Sequence, residues 1–157
     1  MSQPDIDATV EILLIEDNQG DIRLFQEAIK MSTFNLNLSI IQDGEHVLDF
    51  LNNKTPFTHA PYPDLILLDI NLPRKSGLEV LATLKAHPVN RRIPVIILTS
   101  SQAPEDIQTA YDNHANCYIV KPVQLNDFFQ IVNTLEKFWL HQARLPIKGH
   151  HGTKNKN

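Results

Sequence analysis

Four short apolar runs, each followed at once by charged or polar side chains, constrain the fold of this chain most strongly. They occupy residues 12–15, 65–68, 95–98 and 118–120. Short, continuous apolar runs are typical of strands buried on both faces, as in a parallel sheet covered by helices. Ligands of such sheets bind beyond the carboxyl ends of the strands. If the four strands are neighbours, the residues that follow them converge at one edge of the sheet.

Those residues carry the chemistry of a metal and phosphoryl site. Glu16 and Asp17 follow the first run, Asp69 the second, Thr99 the third and Lys121 the fourth. Three carboxylates close together need a counter-charge, and a divalent cation is the usual one. Oxygen ligands favour Mg²⁺ over zinc or copper, and no His or Cys spacing supports a zinc site. A carboxylate at such a site is also a legitimate nucleophile for a phosphoryl group.

Strand and helix patterns alternate along the whole chain, without an internal repeat or a domain linker. Strands are expected near residues 11–16, 36–41, 65–69, 95–99 and 117–120. Helices are expected near 21–31, 47–51, 78–86 and 104–114, and from about 124 onward. Asn18 or Asp21 is expected to cap the first helix. This alternation predicts an α/β fold, a doubly wound five-stranded parallel sheet with five helices.

Composition excludes several classes of protein. The chain has 157 residues, 42% of them apolar, and a formal charge of −4, which provides no basic surface for nucleic acid. No apolar stretch approaches the length of a membrane span, and residues 1–9 do not resemble a signal peptide. The single cysteine, Cys117, suits a reducing compartment. We expect a cytoplasmic protein with a flexible N-terminus (1–9), one domain (10–145) and a disordered tail (146–157).

Taken together, the four strand-end motifs resemble a known family. They are Ile-Glu16-Asp17-Asn, Leu-Leu-Asp69-Ile-Asn-Leu-Pro, Ile-Leu-Thr99-Ser and Ile-Val-Lys121-Pro. In this order they resemble the receiver domain of two-component response regulators, which has a flavodoxin-like fold, over about residues 10–140. Each motif alone is weak, whereas all four in sequence are specific.

The resemblance implies a role for each acidic residue. Asp69 would be the phosphoacceptor, and Glu16 with Asp17 would form the acidic pair. Asp17 and Asp69 would bind Mg²⁺ directly, the backbone carbonyl of Asn71 would be a third protein ligand, and Glu16 would reach the metal through water. Phosphorylation and dephosphorylation of Asp69 would be the only reactions, so the protein is not expected to be an enzyme acting on other molecules.

The resemblance also implies a switch. Thr99 would be the switch hydroxyl, and Lys121 would pair with Asp69 or with its phosphate. Tyr118 would be the aromatic residue that turns inward when Thr99 moves. The peptide bond between Lys121 and Pro122 would be cis.

Three further features are most similar to the stand-alone regulators of cyanobacterial phytochromes. They are the proline-bearing insertion between Asn52 and Asp64, the segment around Arg74 and Lys75, and the helix end Phe138-Trp139-Leu140. This similarity implies a single-domain regulator that receives phosphate from a sensor histidine kinase, of a light-regulated phytochrome type. It also implies a homodimer built partly on the last helix.

Two other functions fit the same residues less well. A Mg²⁺-dependent phosphatase with an Asp nucleophile needs a second Asp two residues later, where this chain has Asn71. A receiver that serves only as a phosphate-independent binding scaffold is disfavoured because all five site residues are present.

Overall fold

The structure is a computed structural model, and it describes residues 9–146. Residues 1–8 and 147–157 of the predicted flexible terminus and disordered tail lie outside the described residues. The strands are β1 (Val10–Ile15), β2 (Leu36–Ile41), β3 (Leu65–Leu68), β4 (Val95–Thr99) and β5 (Cys117–Val120). The helices are α1 (Gln19–Lys30), α2 (Val47–Leu51), α3 (Gly77–Ala86), α4 (Pro104–Asp112) and α5 (Leu125–Leu135).

The five strands form one parallel sheet in the order β2-β1-β3-β4-β5. The four strands with continuous apolar runs are therefore neighbours, as their sequence predicts. β1 and β3 pair with Ile15 opposite Leu68, so both strands end at the same level. The next residues, Glu16 and Asp69, consequently leave the sheet side by side. This architecture confirms the predicted doubly wound α/β fold.

Helices cover both faces of the sheet, because successive side chains of a strand point to opposite faces. In β1, Leu13 and Ile15 pack in one core cluster, whereas Ile12 and Leu14 pack in the other. The first cluster includes buried residues of α2, α3 and α4. The second includes the buried faces of α1 and α5. The aromatic rings of Phe25 in α1 and Phe128 in α5 pack against each other, with their centroids 5.1 Å apart.

The start of α1 and the segment that follows α5 differ from the sequence prediction. α1 begins at Gln19, two residues earlier than expected, because the Asn18 side chain accepts a hydrogen bond from the Asp21 backbone N–H at 3.0 Å. Asn18, not Asp21, is therefore the cap. α5 continues as a π-helical segment over Glu136–Gln142. In that segment the buried Glu136 carboxylate accepts a hydrogen bond from the Ser32 hydroxyl at 3.0 Å.

The proline-bearing segment between α2 and β3 is ordered by its own contacts. The Asn53 side-chain amide donates to the carbonyl oxygens of Phe57, at 3.1 Å, and Ala60, at 2.8 Å. The Phe57 ring packs against Phe50 of α2, with centroids 5.6 Å apart. The Thr55–Pro56 peptide bond is the only cis bond between residues 9 and 146.

The predicted cis bond between Lys121 and Pro122 is therefore wrong. This bond is trans, the isomer that an X–Pro bond favours by about 0.5–1 kcal/mol. The trans bond already allows the amine of Lys121 to reach the carboxylates at the sheet edge.

Candidate functional site

The candidate site lies at the carboxyl edge of the sheet, where β1, β3, β4 and β5 end. The backbone N–H groups that follow the strands extend the ladder: Asp69 donates to Ile15 at 3.0 Å, and Lys121 donates to Thr99 at 2.8 Å. These bonds hold the first residue beyond each strand at the sheet edge. The structure thus brings the predicted strand-end side chains together, while the roles assigned to them remain predictions.

Lys121 is the centre of the site. Its ammonium nitrogen lies 2.6 Å from Glu16 Oε2, 2.8 Å from Asp21 Oδ2 and 2.9 Å from Asp69 Oδ2. The Lys121 side chain is only 9% exposed. Buried ion pairs are stable only when the charges also make good hydrogen bonds, and these three contacts meet that condition.

The pKa values of the three strand-end groups follow from burial and these contacts. Burial, with a smaller contribution from the negative charge of Asp69, raises the pKa of Glu16 to about 7 despite the hydrogen bond from Lys121. Burial also acts to raise the pKa of Asp69, but hydrogen bonds from Lys121 and Thr99 outweigh it and leave that pKa below its usual value. Burial opposes the charge on Lys121, but its three carboxylate partners raise its pKa overall. At neutral pH the site therefore holds an ionised Asp69 beside a charged amine.

Three of the carboxylates could hold a metal ion together. Ligand oxygens of Glu16, Asp17 and Asp69 all lie within 4.8 Å of one another. Glu16 and Asp69 are buried, whereas Asp17 is exposed. An all-oxygen donor set with one solvent-facing side suits a hard divalent cation such as Mg²⁺ or Mn²⁺, which keeps several of its waters. The donor set therefore fits the predicted metal.

The backbone around Asp69 holds its carboxylate in one orientation. Asp69 Oδ1 accepts a hydrogen bond from the backbone N–H of Asn71 at 3.1 Å, while Oδ2 faces Lys121. Gly77, the first residue of α3, donates its backbone N–H to the carbonyl of Ile70 at 2.8 Å. A Cβ at Gly77 would collide with the Asp69 carbonyl oxygen, so only glycine permits this close approach.

Tyr118 lies beside the site and is joined to the loop that follows β4. Its hydroxyl donates to the backbone carbonyl of Ser101 at 2.9 Å, and its ring packs against the α2–α3–α4 side of the core. Burial raises the pKa of Tyr118, so the hydroxyl keeps its proton and remains a donor at neutral pH. The Ser101 hydroxyl in turn donates to Asp106 Oδ2 of α4 at 2.5 Å. Hydrogen bonds through Ser101 thus connect Tyr118 with the first turn of α4.

Asp21 was not predicted as a site residue, since an acidic residue in the first turn of a helix usually serves the helix dipole. A clue does exist in the sequence. The predicted first strand ends near residue 16 and the predicted first helix begins near residue 21, so the first turn of that helix must lie close to the same sheet edge. An acidic side chain at that turn is within reach of Lys121.

Comparisons with known proteins show which proteins this chain is similar to. The sequence matches the family described as response regulator receiver domain over residues 12–133. It is 45% identical over 135 residues to the response regulator Rcp1 of Synechocystis sp., covering 86% of this chain and 92% of Rcp1.

Two crystal structures of similar proteins share the fold. The phosphorylated cyanobacterial phytochrome response regulator RcpA is 46% identical, with a TM-score of 0.85 over 89% of this chain and 100% of RcpA. The Mn²⁺-bound form of Rcp1 is 44% identical, with a TM-score of 0.84 over 88% of this chain and 99% of Rcp1. Within residues 9–146, no helix is long and apolar enough to cross a membrane.

Proposed function

Because this chain belongs to the response regulator receiver family, whose general role is a phosphorylation-dependent relay, we propose that Asp69 is its phosphoacceptor. The observation that carries the proposal is the setting of the Asp69 carboxylate. It is buried at the sheet edge, ionised, 2.9 Å from the amine of Lys121 and within the acidic cluster. A carboxylate held in this way is available as a nucleophile and has a cation beside it to stabilise an incoming phosphoryl group.

The proposed reaction is a phosphoryl transfer from a histidine kinase. An oxygen of Asp69 bonds to phosphorus while the bond from phosphorus to the kinase's histidine nitrogen breaks. That nitrogen keeps the electron pair and takes up a proton. Most of the rate in such transfers comes from positioning and electrostatic stabilisation, which Lys121 and the hydrogen bond from Asn71 N–H supply here. Hydrolysis of the acyl phosphate by water would return the free carboxylate.

Asp17 and Asp69 would bind Mg²⁺ directly, with the backbone carbonyl of Asn71 as a third ligand and Glu16 acting through water. The compatible oxygen donor set supports this assignment. When bound, the ion would neutralise charge on the phosphoryl oxygens and on the crowded carboxylates. Lys121 alone offers one positive charge to this cluster.

Thr99 and Tyr118 would convert the phosphorylated state into a change of surface. Thr99 is buried, and its hydroxyl helps to hold the pKa of Asp69 below its usual value. Once Asp69 is phosphorylated, the Thr99 hydroxyl would turn to the phosphoryl oxygens. Tyr118 would then leave the Ser101 carbonyl and turn inward, which alters the loop before α4.

The kinase partner would be a phytochrome-type sensor, and the relay would operate in the cytoplasm. Similarity to Rcp1 and to RcpA supports this partner. To test it, autophosphorylated phytochrome kinase from Synechocystis is mixed with the protein. Rapid transfer of labelled phosphate to wild type but not to Asp69→Asn is the expected result. Transfer no faster than from an unrelated histidine kinase would contradict the pairing.

The protein would also form a homodimer, with the last helix as part of the contact surface. Phe138 is 55% exposed and packs edge-on against Trp139, with ring centroids 5.4 Å apart, which leaves an apolar patch beyond α5. Sedimentation of Phe138→Ser should show weaker dimerisation than wild type. Tyr111→Ser, which changes an exposed aromatic residue of α4, is the matched control. Equal association of all three proteins would place any interface elsewhere.

The phosphoacceptor itself is tested with acetyl phosphate and Mg²⁺, followed by intact-mass measurement. Wild type should gain one phosphoryl group, whereas Asp69→Asn should gain none. Asp112→Asn, which alters an exposed carboxylate at the end of α4, should be labelled like wild type. Unchanged labelling of Asp69→Asn would overturn the assignment.

A further inference from the structure

Asp21 lies outside the four strand-end motifs, yet it contacts the central amine of the site. It belongs to the first turn of α1, and its Oδ2 accepts a hydrogen bond from Lys121 Nζ at 2.8 Å. Its side chain is 24% exposed, compared with 9% for Lys121, so Asp21 lies on the solvent-facing side of this contact. Neither a capping role nor a role as metal ligand accounts for this contact.

The hydrogen bonds of Lys121 are fully used in this arrangement. An ammonium group has three N–H donors, and each has a carboxylate of its own, on Glu16, Asp21 and Asp69. Phosphorylation of Asp69 would place one of its oxygens in the bond to phosphorus. The donor that faces Asp69 would then turn to a phosphoryl oxygen, while the other two would keep their partners.

Those two remaining partners are held rigidly and are joined to each other. The Asn18 backbone N–H donates to Glu16 Oε1 at 3.0 Å, and the Asn18 side chain accepts from the Asp21 backbone N–H at 3.0 Å. α1 itself is held on the sheet by Phe25, which packs against Phe128 of α5. The backbone of Asp21 therefore has a fixed position relative to the end of β1, and its carboxylate is held by the hydrogen bond from Lys121.

We propose that Asp21 is a positioning residue, which keeps the amine of Lys121 in the site while Asp69 changes from a carboxylate to an acyl phosphate. This inference rests on the proposed phosphoryl transfer and deepens it. A lysine side chain is long and flexible, and Glu16 alone would leave its amine free to rotate about one contact. With Asp21 as a second fixed acceptor, the third N–H points toward the place where the phosphoryl group arrives.

The test compares Asp21→Ala with Asp21→Asn, because the amide oxygen of Asn can still accept a hydrogen bond from Lys121. Initial rates of labelling are measured across acetyl phosphate concentrations at saturating Mg²⁺. Asp21→Ala should lower the maximal rate about tenfold, as expected for loss of a charge-assisted hydrogen bond. The half-saturating concentration should change less than about twofold, since Asp21 does not touch the phosphodonor. Asp21→Asn should stay within about threefold of wild type.

The control is Glu27→Ala, which removes another acid of α1 whose side chain is 54% exposed and pairs with Lys30. It should be labelled at the wild-type rate. Circular dichroism gives the folded fraction of each variant, and Asp21→Ser, whose hydroxyl is too short to reach the amine, replaces Asp21→Ala if that variant does not fold.

A wild-type rate for Asp21→Ala would overturn the proposal. Equal slowing of Asp21→Asn and Asp21→Ala would also overturn it, because the negative charge and not the hydrogen bond would then matter. If the proposed phosphoryl transfer to Asp69 were itself wrong, Asp69→Asn would be labelled like wild type. This result distinguishes failure of the proposed function from failure of the proposed role of Asp21.

Discussion

Replacing Gly77 with alanine should displace the phosphoacceptor from the site. Gly77 is the first residue of α3, and its added Cβ would collide with the Asp69 carbonyl oxygen. It would also lie 2.7 Å from Ile70 Cα and 2.8 Å from the Asp69 carbonyl carbon. All three are backbone atoms, so no side-chain rotation can relieve the overlap, and the end of β3 must move away from α3.

The change in the free energy of unfolding follows from two opposing effects. Overpacking of this kind costs about 1–3 kcal/mol, and replacing glycine with alanine within a helix returns up to about 1 kcal/mol. We therefore expect a net loss of about 1–2 kcal/mol in the free energy of unfolding. For a domain of this size the melting temperature should fall by roughly 2–8 °C. A shift of Asp69 by about 1 Å should slow its phosphorylation on the order of 100-fold.

Urea unfolding and acetyl phosphate labelling test both parts of this prediction. Gly20→Ala is the matched control, since it lies in α1 and its Cβ would meet only the Asn18 side-chain oxygen, at 3.2 Å. It should change the free energy of unfolding by less than about 1 kcal/mol. If Gly77→Ala were as stable as wild type and were labelled as fast, the close approach to Asp69 would have no structural or functional importance.

Two further predictions concern the corner between β1 and α1. Burial raises the pKa of Glu16 from 4.5 to about 7, so its contribution to stability is present below pH 4.5 and is lost as the pH rises toward 7. In metal-free buffer the urea midpoint of wild type should decrease over this interval more steeply than that of Glu16→Gln, and parallel curves would contradict the raised pKa. Asn18→Ala removes the cap of α1 and should lower the free energy of unfolding by about 1 kcal/mol in the same assay. An unchanged midpoint would show that this cap contributes nothing.

The arrangement of the sheet was predictable because four of its five strands, β1, β3, β4 and β5, are encoded as continuous apolar runs. Such runs are typical of a parallel sheet covered by helices, in which the carboxyl ends of the strands lie together. β3 and β4 are fully buried as this pattern predicts, whereas β5 is an edge strand with half-buried residues. The contact of Lys121 with Asp69 is a consequence of that geometry, although the two residues are 52 positions apart in the chain. The sequence pattern thus predicts where the chemical groups lie without predicting their distances.

Other features depend on individual side-chain contacts, which the spacing of apolar residues in the sequence does not predict. The Lys121–Pro122 bond is trans, whereas the family resemblance predicts a cis bond. An aspartate in the first turn of a helix can cap the helix, interact with the helix dipole or bind an amine. The residue type alone does not distinguish these roles. The role of Asp21 appears only when α1 is placed over the sheet edge, where Oδ2 reaches Lys121. The start of α1 is likewise set by a single side-chain oxygen, that of Asn18.

The most direct test of the account locates the phosphate chemically in the wild-type protein. An acyl phosphate of aspartate is reduced by borohydride to homoserine, which changes the mass of a single peptide fragment. After reaction with acetyl phosphate and Mg²⁺, we expect homoserine at position 69 and unaltered Glu16, Asp17 and Asp21. Homoserine at Asp17 or Asp21, or 5-hydroxynorvaline at Glu16, with Asp69 unmodified, would show that Asp69 is not the phosphoacceptor.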